Sequence, residues 1–365
     1  MRAYWSRNGG AAALVAWAAI AAGTIACGDG APPRPGVRES AATGSAARDT
    51  GESRDSRDSR DSLESAVPAP AVERDELPSE VATRFDSAAW RPPADSEITN
   101  DSLGAAVRRG LALVRHTNDS LPRYAPGRIA CTSCHLDAGR NLDAVPLAGV
   151  QARYPRYIAR AGAVVTLADR VNYCFTRSLA GLRLPSDSRE MADILAYLAF
   201  LSRGVPVGAS IAGGAGLPPM PDSLVGDTTR GRAVYASTCA SCHGANGAGN
   251  PAMPPGVPAL WGAKSYSVGA SMAREERAAS FIWHNMPLGR PKSLTPQQAF
   301  DVAAYVNAHP RPDSPGKAGD WPAGNVPRDV PYDTRSGHEA YRPPPLLRRA
   351  NASRTLVPAP ARVRR

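Results

Sequence analysis

The feature that most constrains this chain is a five-residue pattern that occurs twice, Cys131-Thr132-Ser133-Cys134-His135 and Cys239-Ala240-Ser241-Cys242-His243. Two thiols one helical turn apart, followed directly by a histidine, form a complete attachment pattern for a covalently bound haem: the thiols bond to the vinyl groups and the imidazole reaches the iron from one side. A dithiol redox pair or half of a zinc site shares the Cys-X-X-Cys core. An oxidising compartment disfavours the first outside oxidoreductases, and a histidine after each pair with a helix before and after the motif disfavours the second. The composition agrees: 365 residues hold about two domains, and 35 Pro, 33 Gly and only five Phe suit small, loop-rich domains whose cores are completed by something other than aromatic side chains.

Export is expected from the N-terminus. Arg2 and Arg7 precede an apolar run from Ala11 to Ala22 that is too short for a comfortable membrane span, and no other stretch is apolar enough to serve as one. Thr24-Ile25-Ala26-Cys27 approximates a lipoprotein cleavage site, so residues 1–27 read as a signal peptide with Cys27 as the candidate lipid anchor; ordinary cleavage nearby is the alternative. The expected location is the periplasm, tethered to a membrane. Residues 28–95, with a Ser-Arg-Asp repeat between Ser53 and Asp61, are too poor in large apolar residues to fold and read as a disordered linker.

The remainder reads as a mainly α fold of two tandem cytochrome c domains, 96–204 and 229–310, joined by a Gly- and Pro-rich connector, 205–228, and followed by a Pro-rich wrap and basic tail, 311–365. Asn100 or Asp101 can cap a helix whose apolar stripe is Leu103, Val107, Leu111 and Val114. A closing helix carries Met191, Ile194, Leu195, Leu198 and Leu201, between the start signal Asp187/Ser188 and the stop at Gly204. The second half repeats the plan: a short helix around 230–237, the second haem motif, a Gly- and Pro-rich loop, and a final helix opened by Thr295, Pro296 and Gln298. The closing helices align internally, Asp193-Ile194-Leu195-Ala196-Tyr197 against Asp301-Val302-Ala303-Ala304-Tyr305.

His135 and His243 supply one ligand to each iron, and the other must come from elsewhere. In the second half Met286 stands between the motif and the closing helix, with Met253, in a loop, and Met272, at a helix start, as rivals. No Met occupies that interval in the first half; Cys174 does, and it is left over once Cys27 and the four motif cysteines are assigned. A buried apolar thiol is the plain alternative for Cys174, and His116 is the competing ligand. Thiolate ligation lowers a haem potential and thioether ligation raises it, so electrons are expected to run from the first centre to the second. Arg160, Arg170, Arg177 and Ser178 gather near Cys174, with Arg153 and Arg156 upstream; guanidinium forks suit a small dianion, although any one of them could instead neutralise a haem propionate or face water. The net charge of +10 comes almost wholly from Arg, and without an interleaved basic and aromatic stripe or a DNA-reading motif no nucleic-acid partner is expected.

The segment Arg170-Val171-Asn172-Tyr173-Cys174-Phe175-Thr176-Arg177-Ser178-Leu179, the first haem motif, Asn285-Met286-Pro287, and the ending around Asp320-Trp321-Pro322 and Asp329-Val330-Pro331-Tyr332 together resemble the diheme thiosulfate dehydrogenase family over roughly residues 95–348. The resemblance implies oxidative joining of two thiosulfates into tetrathionate, with the reverse reduction in some members, and electron delivery to a soluble or membrane-bound acceptor such as another cytochrome. It also implies that Cys174 is both haem ligand and substrate-sulfur partner and that Arg160, Arg170, Arg177 and Ser178 hold the anion's oxygens. Ala180 departs from the family's Ser-Leu-Asn-Gly run, and Asn285 stands where some members place an alternative Lys ligand. Two other readings compete: a non-catalytic diheme electron carrier, whose Arg cluster would serve docking, and a haem subunit of a sulfur-oxidising complex.

Overall fold

Each haem motif lies between two helices that pack on one another, and the same three residue types lock both pairs. The computed structural model describes residues 84–336 apart from 214–215, 222 and 254–255. The leader, Cys27, nearly all of the linker and the basic end from 337 onward lie outside the described residues. The longer helices are α1 (Ser102–Arg115), α2 (Leu167–Tyr173), α3 (Arg189–Phe200), α4 (Thr228–Val234), α5 (Glu275–Asn285) and α6 (Pro296–Ala308). None of the helices among the described residues is long and apolar enough to cross a membrane.

Local chemistry sets the helix ends. Asp101 caps α1 by accepting from the Gly104 amide at 2.7 Å, and Ser188 caps α3 through Met191. Thr295 and Gln298 form a reciprocal capping box on α6 with Pro296 at its first position, as the sequence predicts. The buried face of α1 is Val107, Leu111 and Val114; Leu103, expected in the same stripe, is 64 % exposed because the helix is still emerging from its cap there.

In the first half Arg109 of α1 donates two hydrogen bonds to the Asp193 carboxylate of α3, both 2.7 Å. In the second half Arg230 of α4 does the same to Asp301 of α6, again at 2.7 Å. The next residue in each case is a glycine at the point of closest helix approach: a Cβ on Gly110 would lie 2.0 Å from the Asp193 carbonyl oxygen, and one on Gly231 would lie 1.9 Å from that of Asp301. The internal alignment of the closing helices is therefore an alignment of one Arg-Gly/Asp clasp. Gly110→Ala forces backbone against backbone and is expected to destabilise the protein by about 3 kcal/mol or more, read as a lowered thermal midpoint of the haem-loaded protein.

Helix α2 and a short hairpin were not legible in the residue pattern. A hairpin pairs β1 (Arg156–Ile158) with β2 (Ala163–Val165) in antiparallel register, Arg156 opposite Val165. Helix α5 follows Met272, where a helix start is expected, but its extent is not marked: its buried face is largely Ala278, Ala279, Ser280 and Phe281, too weakly apolar to announce a period. The two halves meet through the Arg128 amide on the Lys264 carbonyl at 2.8 Å, the Ser267 amide on that of Ser178 at 3.2 Å, and the Asn285 side-chain amide on that of Asp143 at 2.9 Å.

Candidate active site

Both motif histidines have one ring nitrogen occupied by a backbone carbonyl. His135 Nδ1 meets the Val145 oxygen, and His243 Nδ1 meets the Pro258 oxygen at 3.1 Å. This arrangement fixes the ring and leaves Nε2 for a metal, the usual second partner of a ligating imidazole. Cys131, Cys134, Cys239 and Cys242 form no disulfide. Buried Thr117 holds Cys131, accepting from its amide at 3.0 Å and donating to its sulfur at 3.2 Å. Burial pushes the Cys131 thiol up to about 11 and Cys134 to about 12, so neither is an ionised nucleophile in its own right. The donor set, two thiols and an imidazole with a free Nε2 in each half, fits a covalently attached haem.

Cys174 follows α2 directly and opens a π-helical turn, Cys174–Ser178. The turn forms because its apolar residues have a core to enter: Phe175 and Leu179 are buried against Leu184, Met191 and Ile194. Thr166 and Asp169 close a capping box at the start of α2, and buried Asn172 clamps the following loop by bonding both the Leu184 oxygen, at 3.0 Å, and its amide, at 2.8 Å. Single π turns recur at functional positions because they offset side chains that a regular helix would stack.

A terminal guanidinium nitrogen of Arg170 donates to the Cys174 sulfur at 3.1 Å. Burial alone would push the Cys174 thiol up, but the Arg170 charge and the His135 ring outweigh it and bring the thiol down to about 6. Tyr154 also hydrogen-bonds Arg170, whose own value is raised chiefly by the Cys174 charge. A thiolate, a guanidinium and the first motif's imidazole thus converge.

The other expected site residues form a second cluster along the same turn. Arg177 donates to one oxygen of Asp320 at 2.6 Å, and Arg160 donates through Nε to the other at 2.8 Å. Tyr332 donates to the same carboxylate at 2.7 Å and accepts from Arg160 at 2.6 Å. The Arg160 guanidinium stacks 4.9 Å from the Trp321 ring centroid, and that of Arg177 stacks 4.3 Å from Tyr173. Asp320 is 1 % exposed; burial would raise its carboxyl, but the flanking guanidinium groups, Arg160 foremost, hold it below the ordinary carboxylate value. Arg160 and Arg177 are therefore brought together by a carboxylate, Arg170 alone contacts Cys174, and half-buried Ser178 offers its carbonyl to Ser267. Two guanidinium groups on one carboxylate leave the cluster cationic. The residue pattern did not single out Asp320 or Tyr332 as site residues; the available signal was an acidic residue beside Trp in an otherwise Pro-rich tail.

Ala180 has φ +52°, left-handed backbone that Asn adopts more readily than Ala. The departure from the Ser-Leu-Asn-Gly run thus has a local cost, and Ala180→Asn is expected to stabilise the protein by on the order of 1 kcal/mol, measured as a raised thermal midpoint.

In the second half Met286 follows α5 and packs in an apolar cluster with Ala144, Tyr266 and Phe281, to which Cys134 and Leu136 also belong. Asn285 is buried and engaged by the Asp143 and Phe281 carbonyl oxygens, at 2.9 and 3.1 Å. The loop that fixes His135 through Val145 is therefore pinned to the residue before Met286. Met272 is buried in the same cluster as Met286, Met253 sits half-buried in a loop, and His116 is exposed at the C-terminus of α1.

The comparisons agree with this architecture. The family model for the SoxA/TsdA cytochrome c domain matches residues 123–207 and that for cytochrome c matches 228–310. Two tandem cytochrome c domains with two covalently bound c-type haems make this a diheme c-type cytochrome. Thiosulfate dehydrogenase of Psychrobacter arcticus is 40 % identical over 251 residues, covering 67 % of this chain and 76 % of the relative. That of Allochromatium vinosum is 40 % identical over 226 residues, 60 % of this chain and 83 % of the relative. The solved structure of thiosulfate dehydrogenase (TsdBA) from Marichromatium purpuratum is similar at 37 % identity with a TM-score of 0.59, covering 64 % of this chain and 52 % of that one, so this chain matches about half of that longer protein. The chain belongs to the thiosulfate dehydrogenase family and is an oxidoreductase.

Proposed function

We propose that this protein joins two thiosulfates into tetrathionate and that Cys174 is the sulfur on which the joining takes place. The observation that carries this reading is the contact of the Cys174 sulfur with Arg170 at 3.1 Å, beside His135. A thiolate held against a fixed cation and an imidazole is poised both to ligate a metal and to bond to sulfur.

The bond changes balance as follows. The Cys174 thiolate and the sulfane sulfur of one thiosulfate form an S–S bond with loss of two electrons, leaving a thiosulfonate on the cysteine. The sulfane sulfur of a second thiosulfate then attacks the outer sulfur of that linkage, the Cys174–sulfur bond breaks, tetrathionate departs and the thiolate is restored. Covalently attached haems, held by His135 and Cys174 in the first half and by His243 and Met286 in the second, would supply one-electron acceptors for the two electrons released. Arg170 holds Cys174 as thiolate and offsets the charge of an incoming dianion. Arg160 and Arg177, kept side by side by Asp320, present nitrogens to sulfonate oxygens, with the Ser178 hydroxyl beside them. The contact of Asp143 with Asn285 holds the Met286 segment against the loop that orients His135. Export to the periplasm, a lipid anchor at Cys27 and a cytochrome as final acceptor complete the reading.

The test is anaerobic addition of thiosulfate to the oxidised, purified protein. Haem absorbance is expected to convert to the reduced form and tetrathionate to appear without a partner protein. A pure electron carrier would show neither, and a subunit of a larger complex would show them only after its partner is added.

A further inference from the structure

The loop that orients His135 is strained by its own residues and clamped from the other half of the chain. It runs over residues 136–145 and ends on Val145, whose carbonyl oxygen meets His135 Nδ1. Along it, residues other than glycine take left-handed backbone: Asp137 at φ +51°, Ala138 at +50° and Val145 at +50°. A β-branched residue is a genuine outlier there, and such backbone persists only where its surroundings over-determine it. Asn141 shapes the turn from within, its side-chain oxygen accepting from the Asp143 amide at 2.9 Å and its carbonyl from the Ala144 amide at 3.2 Å. The clamp from outside is Asn285, the residue before Met286. It is 5 % exposed, donates to the Asp143 carbonyl oxygen at 2.9 Å, and offers its own oxygen to the Asn141 side-chain nitrogen at 3.4 Å. Ala144 and Val145 pack in the same apolar cluster as Met286. The halves also meet at Arg128 and Ser178, but those contacts involve neither the Met286 segment nor this loop.

We propose that Asn285 is a positioning residue that couples the two redox centres: it ties the Met286 segment to the loop orienting His135, so that a displacement of either reaches the other. The inference rests on the reading of His135 and Met286 as haem ligands and not on the thiosulfate chemistry. One carboxamide supplies two donors and an acceptor at once. The bond to the Phe281 carbonyl, 3.1 Å, stays within α5 and would serve a purely local role; the bonds to Asp143 and Asn141 are the ones that cross between the halves. Releasing them would leave buried polar groups unpaired, so the two segments hold together as a unit. The consequence differs at the two centres. A carbonyl on Nδ1 raises the basicity of a ligating imidazole, so relaxing the Val145 contact makes His135 a weaker donor and disfavours ferric iron at the first centre. Loosening the loop instead frees the Met286 segment and weakens the thioether bond that raises the potential of the second.

The experiment is redox titration of the haem-loaded, full-length protein without thiosulfate, so that the outcome is independent of turnover. The first haem is followed by its low-spin magnetic resonance signal and the second by the charge-transfer band of thioether-ligated ferric iron. Absence of that band in the wild-type protein would overturn the Met286 ligation and the proposal with it; its presence puts the tie alone under test. Asn285→Leu, which fills much the same space without the carboxamide, is expected to raise the midpoint potential of the first haem, although the residue adjoins the ligand of the second. Asn141→Ala, on the other side of the tie, is expected to weaken the thioether band and lower the potential of the second haem. Coupling between two sites is reciprocal. A shift confined to the haem of the mutated half, or a cross-shift in one direction only, therefore overturns the proposal. If Asn285→Leu does not take up haem, Asn141→Ala decides alone: a shift at the second haem supports the tie, and an unchanged second haem overturns it.

Discussion

Cys174→Ala is expected to lower thiosulfate-dependent reduction of an artificial electron acceptor by at least about a thousandfold while both haems remain attached, since the attachment thiols Cys131, Cys134, Cys239 and Cys242 are untouched. The size follows from what is removed at once: the sulfur proposed to bond substrate, the acceptor that meets Arg170 at 3.1 Å, and the soft donor beside His135. The motif sulfurs cannot substitute, because they are committed to the haems as thioethers. Low-temperature electron paramagnetic resonance gives an independent readout. The oxidised wild-type protein should show a low-spin signal of thiolate type that vanishes in Cys174→Met. Retention of full activity in Cys174→Ala would remove the covalent chemistry from this residue and leave a two-centre redox protein.

Asp320→Asn is expected to raise KM for thiosulfate about tenfold or more with a smaller effect on kcat, because Asp320 touches Arg160 and Arg177 and acts on the anion only through them. Loss of a buried carboxylate between two half-buried guanidinium groups also destabilises the fold, by about 3 kcal/mol. Both effects should be eased in Asp320→Glu, which keeps the charge. A role in packing alone predicts the stability loss without the KM change, so steady-state kinetics and thermal denaturation separate the two. The pH dependence has a definite sign. Asp320 and Asp301 are both held below the ordinary carboxylate value despite burial, by Arg160 and Arg177 in one case and by Arg230 in the other. Their stabilisation is complete above about pH 4 and is lost as the pH falls through their lower folded values. In Asp320→Asn that portion of the acid-induced loss should be missing.

The clasps of the two halves show how much of the fold the residue pattern carried. Aligning Asp193 with Asp301 located the closing helices and their equivalence, and Thr295, Pro296 and Gln298 marked the start of α6. Caps and apolar periods are local, so they survive in one dimension. The β1–β2 hairpin did not, because its three-residue strands are too short for an alternation to register, and of α5 only a start near Met272 was legible, because its buried face is mostly alanine and serine. At the site, Cys174 emerged by arithmetic and Arg170 only as one of the cations clustered around it. Asp320 joins Arg160 and Arg177 from the far end of the chain, through the wrap of residues 311–336. Nothing near any of the three marks that meeting.

The sequence by itself determined that two covalent haem centres stand in tandem and that each has one histidine fixed by its motif, because both are a matter of residue type at short spacing; it also left a single thiol, Cys174, unassigned between the first motif and the closing helix. Tertiary structure alone decided which charges meet. Arg170 reaches the Cys174 sulfur, Arg160 and Arg177 share Asp320, Asn285 ties the Met286 segment to the His135 loop, and Arg311 is buried against the Val306 and Leu260 carbonyl oxygens. The physical reason is that an ion pair or a buried donor is defined by distances of about 3 Å between atoms that the chain may separate by any number of residues, and only packing brings them to that distance.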